Sequence, residues 1–380
     1  MSRRSLHTPA PDAAALRARL DRARTAAAAA DTDALLIAPG SDLRYLIGQA
    51  GGSFERLTTL VVPADGTPAL VVPKLEAPGY ADVPTDELGV DLLTWVDGDD
   101  PYKLVADRLG KAGRVAVSDF TPALHVLALR AALGEAEQTL AGPVVRELRM
   151  RKDAAEIASL RDAGAAIDRV QARVHEWLRA GRTEAEVGAD IAAAIVAEGH
   201  VQADFVIVGS GPNGASPHHD VSDRVIEKGD VVVVDIGGPL PAGYNSDSTR
   251  TYAVGEPRDA DVAETYAVLQ RAQAASVASV KPGVTAEQVD AAARDVITEA
   301  GFGEYFIHRT GHGIGLDVHE EPYIIAGNTL PLEPGMAFSV EPGIYQPGRW
   351  GARIEDIVIV TADGVESVNN QPHELVVLDA

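Results

Sequence analysis

A helix-like segment occurs twice in the second half of this chain, and that repeat restricts the possible folds more than any other feature. The two copies span residues 181–199 and 282–301. They share four residue types at a constant separation of 102 positions: Thr183, Val187, Ile195 and Gly199 in the first copy, and Thr285, Val289, Ile297 and Gly301 in the second. Threonine followed three positions later by Glu or Gln is typical of a capping box at a helix start, and glycine commonly follows a helix end.

Histidines follow both copies of the repeat. A short β-rich run and then His218 and His219 come after the first copy, and His308, His312 and His319 come after the second. We interpret the repeat as a duplicated α/β unit whose halves face each other across a pseudo-twofold axis. A cleft between two such halves is a natural binding site, because both halves can present polar groups to it. The alternative is that two Ala-rich amphipathic helices resemble each other by chance.

The first 145 residues alternate β-rich and helix-like segments, which predicts an α/β domain. The apolar runs 57–63 and 69–73 are separated by a turn sequence and are expected to pair as a hairpin. The basic segment RELRMRK at 146–152 then precedes a long helical pattern. We therefore predict two domains, 1–148 and 149–380, as a chain of this length suggests at about 150 residues per domain.

The composition excludes several classes of protein. The chain contains 33 Lys and Arg against 56 Asp and Glu, which gives a net charge of −23. Since so acidic a surface repels phosphate backbones and anionic lipids, neither nucleic acid nor a membrane surface is an expected partner. The sequence contains no cysteine, which excludes disulfides, thiolate zinc sites, iron–sulfur clusters and cysteine nucleophiles.

The beginning of the sequence indicates a cytoplasmic protein. Arg3 and Arg4 are not followed by the apolar segment of a signal peptide, because Asp12, Arg17 and Arg19 interrupt the region. No apolar run anywhere reaches the length of about 18 residues that a membrane-spanning helix requires.

Two aspartates occupy two strands of a predicted hairpin. VVVVDIGG ends in Asp235 and its glycines, and YNSDSTRTYAV returns as a strand that contains Asp247. Directly opposite residues in such a pair have Cβ atoms about 5 Å apart. Two carboxylates at that separation repel and are costly to bury unless a cation joins them. The alternative is one buried and one exposed aspartate in turn positions.

Three further side chains of metal-ligating type lie in glycine-rich or apolar surroundings. His312 stands between Gly311 and Gly313, which allow close backbone approach and leave the imidazole uncovered. Glu341 ends an apolar strand, and Glu355 is expected within a strand formed by GARIEDIVIV. Glutamate inside an apolar β-run is rare unless it is paired or binds metal. With the two aspartates, these ligands suit two divalent ions about 3.5–4 Å apart, and Mn²⁺, Co²⁺ and Zn²⁺ are all compatible.

Four segments together resemble the pita-bread metallopeptidases, family M24: DIGGPLPAGYNSDSTRT, HRTGHGIGLDVHEEPY, FSVEPGIY and GARIEDIVIV. SDLRYLIG at 41–48 resembles the N-terminal domain of creatinase and prolidase, which indicates the proline-directed branch of the family. The resemblance covers nearly the whole chain and is strongest to compact actinobacterial Xaa-Pro dipeptidases and to aminopeptidase P. It implies a creatinase-like N-terminal α/β domain followed by a pita-bread domain with a pseudo-twofold repeat. The spacing from Asp235 to Asp247 is about one residue longer than the family pattern, so the intervening loop must absorb an insertion.

The resemblance implies two bound metal ions, with manganese expected ahead of cobalt or zinc. Asp235 would bind one ion, and Asp247 would bridge both. His312 and Glu341 would bind the other ion, and Glu355 would also bridge.

The resemblance also implies catalytic roles for residues around those ligands. His218 and His319 match the family's two non-ligand histidines near the scissile bond, where either could stabilise an oxyanion. Glu341 would accept and return a proton during attack by water. Arg353 resembles the family's active-site arginine, and it could bind a substrate carboxylate or pair with the metal carboxylates. Tyr345 matches a family tyrosine near the site, with a packing role as the alternative.

Other interpretations of single motifs remain open at this stage. GSGPNG at 209–214 fits a dinucleotide-binding fingerprint, but the Pro217 region that follows does not open a helix, so a turn is expected. A metal-free, creatinase-like amidinohydrolase and a non-catalytic binding module share the fold, but the complete ligand set disfavours both. His219 is expected to be a solvent-facing neighbour of His218.

The resemblance predicts hydrolysis of the peptide bond that precedes proline, in Xaa-Pro dipeptides. Removal of the first residue from longer Xaa-Pro peptides, as in aminopeptidase P, is the alternative. A dipeptidase needs a cation for the free C-terminus and a closed far end of the cleft, and Arg353 is a candidate for that cation. A homodimer is expected, in which residues 49–56 of one subunit reach across to close the partner's cleft.

Overall fold

The computed structural model describes residues 11–52 and 55–379 of the chain. These residues form two compact units, 11–149 and 150–379. The predicted cleft-closing segment 49–56 lies in part outside the described residues, because Ser53 and Phe54 are among those omitted. Among the described residues, no helix is long and apolar enough to cross a membrane.

The N-terminal unit is an α/β domain. Its helices are α1 (Ala13–Ala29), α2 (Ser41–Ile47), α3 (Thr85–Leu88), α4 (Pro101–Leu109), α5 (Ala123–Leu133) and α6 (Gly142–Met150). Its strands are β1 (Ala34–Ile37), β2 (Thr59–Pro63), β3 (Ala69–Pro73), β4 (Asp91–Trp95), β5 (Arg114–Val117) and β6 (Glu137–Leu140). They form one mixed sheet in the order β4-β3-β2-β1-β5-β6.

Burial explains the continuous apolar runs in this sheet. Every residue of β1, β2 and β3 is buried, as expected for strands that are covered on both faces. The predicted hairpin of β2 and β3 is confirmed, with Leu60 opposite Leu70 in antiparallel register. The sheet core contains Val61, Val71, Val105 and Leu129.

The C-terminal unit contains the repeat. Its helices are α7 (Ala154–Gln171), α8 (Glu184–Ala197), α9 (Val262–Ser279) and α10 (Ala286–Glu299). Its first strands are β7 (Phe205–Ser210), β8 (Val231–Pro239), β9 (Asn245–Val254), β10 (Gly311–Gly313) and β11 (Glu320–Ile324). The others are β12 (Ala337–Val340), β13 (Gly343–Gln346), β14 (Trp350–Arg353), β15 (Asp356–Val360), β16 (Val365–Ser367) and β17 (Val376–Leu378).

Three sheets organise these strands. Their orders are β17-β9-β8-β7, β11-β10-β12-β15-β16 and the pair β13-β14. Helices α7 and α8 pack on the first sheet, with Val170 and Ile191 against Val232 and Val234. Helix α10 contributes Ala286 and Val289 to a core shared with β12 and β15.

The two repeat helices begin and end as the sequence predicts. In α8 the Thr183 hydroxyl accepts a hydrogen bond from the Glu186 N–H at 3.2 Å, and the Glu186 carboxylate accepts from the Thr183 N–H at 3.0 Å. In α10 the Gln288 side chain accepts from the Thr285 N–H at 2.9 Å. Glycines with positive φ follow the two helices: Gly199 at 109° and Gly301 at 88°.

Candidate metal centre

The hairpin β8–β9 carries the two aspartates, but not directly opposite each other. Asp235 pairs with Thr249, and Asp247 pairs with Gly237. The two aspartates are therefore diagonal neighbours on one face, a relation with Cα atoms about 7–8 Å apart, and the expected direct opposition is wrong. The register follows from the loop at residues 240–244, which closes the hairpin at the pair Pro239 and Asn245.

Three side chains from three parts of the chain bring ligand atoms together. Single ligand atoms of Asp247, His312 and Glu355 all lie within 4.8 Å of one another, and all three residues are buried. The His312 Nε2 atom is 3.7 Å from Asp247 Oδ2 and 3.3 Å from Glu341 Oε1. Asp235 lines the same cleft, and its Oδ1 atom is buried without a hydrogen-bond partner. All five residues predicted to bind metal thus converge on one place.

Glycines fix the position of His312 in β10. A Cβ atom on Gly311 would lie 1.8 Å from the Ser339 carbonyl oxygen, and one on Gly313 would lie 2.2 Å from the Glu321 carbonyl oxygen. Contacts that short exclude any side chain, so only glycine lets β10 fit between its neighbours. The predicted role of these glycines in close backbone approach is confirmed.

Glu355 lies where the chain passes from one sheet to another. It follows β14, precedes β15, and forms a single bridge with Thr249 of β9. The Thr249 hydroxyl donates to Glu355 Oε2 at 2.6 Å. The expected continuous strand through Glu355 is wrong, because β14 pairs with β13 whereas β15 pairs with β12. Glu341 follows β12 directly, as predicted.

The electrostatics of the cluster indicate a cation site. Burial raises the pKa of Asp247 and of Glu355 well above the ordinary range, and neighbouring carboxylates raise both further. Burial likewise raises the pKa of Glu341 to about 7. Burial lowers the pKa of His312 to about 3, which keeps the imidazole in the neutral form that binds metal. Since crowded buried carboxylates are stabilised as anions by a bound cation, these residues fit divalent metal.

Arg353 is held by protein groups on every nitrogen. Its guanidinium donates to Asp235 Oδ2, to the Tyr345 hydroxyl at 2.7 Å and to the Thr249 hydroxyl at 3.1 Å. The Pro217 carbonyl oxygen also accepts from it at 3.3 Å. Of the two roles predicted for Arg353, these contacts favour a partner of the metal carboxylates over a receptor for the substrate carboxylate.

The two predicted non-ligand histidines face the same cleft. His218 is exposed there, and His319 stacks edge-on against His312 with ring centroids 4.0 Å apart. Burial lowers the pKa of His319. A neutral imidazole of this kind can donate or accept a hydrogen bond at a substrate oxygen.

His308 belongs to this site, although the sequence assigned it no role. Its Nδ1 atom lies 2.6 Å from the Arg309 carbonyl oxygen, and its Nε2 atom lies 2.9 Å from the Tyr345 hydroxyl. A carbonyl only accepts, so Nδ1 carries the proton and Nε2 accepts from Tyr345. Burial lowers the pKa of His308 to about 3. The sequence feature that could have indicated a role for His308 is its position four residues before His312 in a histidine-rich segment.

His219 is a half-buried residue of the cleft lining with 17% of its side chain exposed, so the expectation of a solvent-facing neighbour is wrong. Its Nε2 atom lies 2.8 Å from Oε2 of Glu184 at the start of α8. Glu184 has no exposed surface. Sequence reasoning missed Glu184, because an acidic residue in the first turn of a helix is ordinarily explained by the helix dipole. The physical reason for the error is that a buried carboxylate needs donors, and His219 supplies one.

A cleft of about 1260 Å³ contains these groups. Polar residues of the cluster form one part of its lining, and apolar side chains form another: Phe205, Ile207, Ile307, Val318 and Ile325. An arrangement of carboxylates, neutral histidines and an apolar wall can hold metal and a peptide together.

Comparison with known families explains this arrangement. A model of Metallopeptidase family M24 matches residues 158–362, and a model of the Creatinase/Prolidase N-terminal domain matches residues 19–151. The chain belongs to metallopeptidase family M24. This M24 protein therefore joins a creatinase-like N-terminal domain to a pita-bread catalytic domain, as the sequence predicted. It is a metallopeptidase, and the family implies divalent metal cofactors.

Curated relatives and a solved structure are similar over nearly the full length of this M24 chain. It is 63% identical to the "Probable dipeptidase PepE" of Mycobacterium bovis, over 97% of this chain and 98% of that protein. It is 37% identical to an Xaa-Pro dipeptidase of Lactobacillus helveticus, over 88% of this chain and 92% of that protein. The crystal structure of dipeptidase PepE from Mycobacterium ulcerans superimposes with a TM-score of 0.94 at 60% identity, covering 98% of this chain and all of that one.

Proposed function

We propose that this M24 protein hydrolyses the peptide bond preceding proline in Xaa-Pro dipeptides, with two bound divalent metal ions. The single observation that carries the proposal is the convergence of predicted metal ligands in one cleft, with Asp247, His312 and Glu355 in mutual contact range. The relatives named dipeptidase and Xaa-Pro dipeptidase support the substrate class.

The five buried ligands would divide between two ions. We assign Asp235 to one ion, His312 and Glu341 to the other, and Asp247 and Glu355 to both as bridges. We propose manganese as the metal, because hard carboxylate oxygens with one imidazole suit it. When bound, the ions polarise the scissile carbonyl and lower the pKa of an attacking water.

The surrounding side chains would supply the remaining chemistry. Glu341, whose Oε1 atom lies 3.3 Å from His312 Nε2 in the cleft, would take a proton from water and pass it to the leaving nitrogen. His218 and His319 face the cleft, where either can donate a hydrogen bond to the oxygen of the scissile carbonyl as negative charge develops on it. Arg353 would hold Asp235 in place through its hydrogen bond to Oδ2.

Removal of the first residue from longer Xaa-Pro peptides is a second candidate, and two observations favour it. The cleft of about 1260 Å³ exceeds the usual range of about 300–1,000 Å³ for small-ligand sites. In addition, Arg353, the cation proposed for a dipeptide's free C-terminus, is already engaged by protein groups. A dipeptidase would therefore need its cleft shortened, for example by the partner of a homodimer.

An assay with two substrates separates these functions. Purified protein loaded with Mn²⁺ is offered Ala-Pro and Ala-Pro-Ala at equal concentration, and released alanine is measured. Cleavage of Ala-Pro with a higher kcat/KM supports the dipeptidase. Cleavage of the tripeptide alone contradicts it and supports the aminopeptidase. Cleavage of neither peptide contradicts both functions.

Several further properties follow as proposals from the same assignment. We propose a domain boundary between residues 148 and 149, a cytoplasmic location and a homodimer. Sedimentation of the loaded protein tests the dimer. A metal-free amidinohydrolase of the creatinase type is disfavoured, since it has no need for the crowded buried carboxylates seen here.

A further inference from the structure

The segment that carries His218 is fixed by its neighbours rather than by His218 itself. His218 is exposed in the cleft, and the described residues form no hydrogen bond with its ring. Its position therefore depends on the backbone of the segment from the 3-10 helix Gly211–Ala215 to Ser222. The residues that hold this backbone in place therefore determine the position of the imidazole.

Glu184 provides the anchor on one side of His218. Its carboxylate accepts hydrogen bonds from the Ser210 N–H at 2.8 Å, the Ser210 hydroxyl at 2.6 Å, the Asn213 amide at 3.1 Å, the Ser222 hydroxyl at 2.6 Å and His219 Nε2 at 2.8 Å. These donors lie before and after His218 in sequence. One buried side chain thus ties both ends of the segment to helix α8.

Arg353 provides the anchor on the other side. The Pro217 carbonyl oxygen accepts from its guanidinium at 3.3 and 3.4 Å. The residues immediately before and after His218 are consequently both restrained, Pro217 by Arg353 and His219 by Glu184. Because the peptide units on each side are held, the Cα–Cβ direction of His218 is set within a narrow range, and the imidazole selects among the few rotamers allowed from that starting point.

The second repeat contains a similar device, which indicates that it is part of the architecture of the cleft. Asp290 of helix α10 is buried and accepts from the Thr310 N–H at 3.0 Å and from the Thr310 hydroxyl at 2.8 Å. It also pairs with Arg294, whose guanidinium donates to the His308 carbonyl oxygen at 2.8 Å. In both halves, a buried carboxylate on the repeat helix restrains the segment that carries a histidine of the site.

We propose that Glu184, acting through His219, is a positioning residue that aims His218 at the oxygen of the scissile carbonyl. The inference rests on the proposed hydrolytic function and deepens it. Since a catalytic group displaced by about 1 Å can cost on the order of 10²-fold in rate, loss of the anchor reduces turnover. Metal binding, to which His219 is not assigned, stays as it is. KM changes little, because the Nε2 atom of His219 is already bonded to Glu184.

A double-mutant cycle tests this proposal. His218→Ala, His219→Ala and the double variant are compared for kcat and KM on whichever Xaa-Pro peptide the wild type cleaves, with metal content and melting temperature measured alongside. We expect His219→Ala to lower kcat by roughly tenfold or more, with KM within about twofold and metal content unchanged. In the His218→Ala background the same substitution should cause almost no further loss, because residues that act as a unit are non-additive.

Three control variants distinguish loss of the contact between His219 and Glu184 from a general effect of a histidine substitution and from unfolding. His219→Gln restores a donor to Glu184 and should recover most of the lost kcat. His175→Ala is the matched surface change, since His175 is exposed and its ring forms one hydrogen bond among the described residues, with the Ala172 carbonyl oxygen. Glu184→Gln, which weakens the same contact from the other side, should reproduce the kcat loss if it folds, and its melting temperature shows whether it does.

The proposal is overturned if His219→Ala leaves kcat at the wild-type value, or if its effect is undiminished in the His218→Ala background. It is equally overturned if kcat falls only in proportion to lost metal or folded protein. A wild-type enzyme that cleaves the tripeptide but not the dipeptide contradicts the proposed dipeptidase and leaves this cycle intact, because the cycle uses whichever peptide is cleaved.

Discussion

Arg353 donates a hydrogen bond to Oδ2 of Asp235, while Oδ1 of the same carboxylate is buried without a partner. One oxygen of this predicted metal ligand is therefore oriented by a fixed cation, and the other is left without a partner in a residue that lines the same cleft as the other predicted ligands. Groups that orient a metal ligand in this way are commonly needed for tight metal binding.

Replacement of Arg353 should weaken metal binding before it weakens substrate binding. We expect Arg353→Met to lower metal affinity by about 10–100-fold, because Asp235 loses its restraint. Titration with Mn²⁺ measures the affinity, and Arg349→Met, at a surface ion pair with Asp259, is the control. Unchanged metal affinity with a raised KM for Ala-Pro would show instead that Arg353 serves the substrate carboxylate.

Loss of a bridging carboxylate should remove activity and metal together. Glu355→Ala and Asp247→Ala each remove one proposed ligand from both ions. We therefore expect metal content to drop and activity to fall by more than the roughly 10–100-fold that loss of a ligand's supporting partner costs. Elemental analysis of protein purified in Mn²⁺ checks this. Glu366→Ala, at a surface pair with Arg161, should retain both properties. A Glu355→Ala protein that keeps two ions per chain would count against the assignment.

The metal-free protein should lose stability as the pH rises above about 7.5. Burial and neighbouring carboxylates raise the pKa of Asp247 and Glu355, so the folded protein holds protons that the unfolded chain has released. Folding then takes up protons, and the free energy of unfolding falls with rising pH. Four histidines whose folded pKa is lowered by burial, His200, His308, His312 and His319, work in the opposite direction while the unfolded chain titrates near pH 6.5. Above about pH 7.5 they are neutral in both states and do not contribute.

Melting temperatures in a chelator at about pH 7.5 and about pH 9 measure this effect, because histidines are neutral in both states over that interval. We expect a decrease for the wild type, a smaller decrease for Glu355→Gln, and no decrease with saturating Mn²⁺, whose binding replaces the protons. A chelated wild-type protein whose melting temperature is constant or increases across that interval contradicts the electrostatic account of the cluster.

Gly311 should not tolerate a side chain. Since a Cβ atom there would lie 1.8 Å from the Ser339 carbonyl oxygen, Gly311→Ala forces β10 away from β12, at a cost of about 1–3 kcal/mol in the free energy of unfolding. Denaturant unfolding of the metal-free protein measures it. Gly364→Ala, where nothing lies within 4 Å of the added atom, is the matched control. Equal stability of the two variants would refute the packing argument.

His308 should remain neutral over the working pH range, protonated on Nδ1. Its Nδ1 faces the Arg309 carbonyl oxygen at 2.6 Å, and burial lowers its pKa to about 3. Nitrogen chemical shifts of labelled histidine should therefore show one tautomer between pH 5 and 8. Titration of this residue within that interval contradicts the hydrogen-bond assignment.

The sequence predicted the chemistry of the site better than its geometry. A carboxylate in an apolar strand is conspicuous in a sequence, because burying it is costly without a cation. Asp235, Asp247 and Glu355 could therefore be named as candidate ligands without a structure. The hairpin register could not, since it depends on how the loop at 240–244 closes, and a shift of two positions keeps the same face toward the cleft.

Residues that support the site were the least predictable. Glu184 has the sequence environment of an ordinary first-turn acid, and only the structure brings Ser210, Asn213, His219 and Ser222 to it from as many as 38 positions away. The change of sheet at Glu355 could not be predicted either, because it also depends on partners that are distant in sequence. Every part of GARIEDIVIV has the composition of a strand. The sequence does not show that β14 pairs with β13, that Glu355 bridges to β9 and that β15 pairs with β12, because these pairings depend on the tertiary fold.

A crystal structure of the protein grown with Mn²⁺, with diffraction measured at the manganese absorption edge, tests the central claim most directly. We expect two anomalous peaks about 3.5–4 Å apart, surrounded by Asp235, Asp247, His312, Glu341 and Glu355. Anomalous peaks elsewhere, or none within reach of these five side chains, would contradict the account of the site.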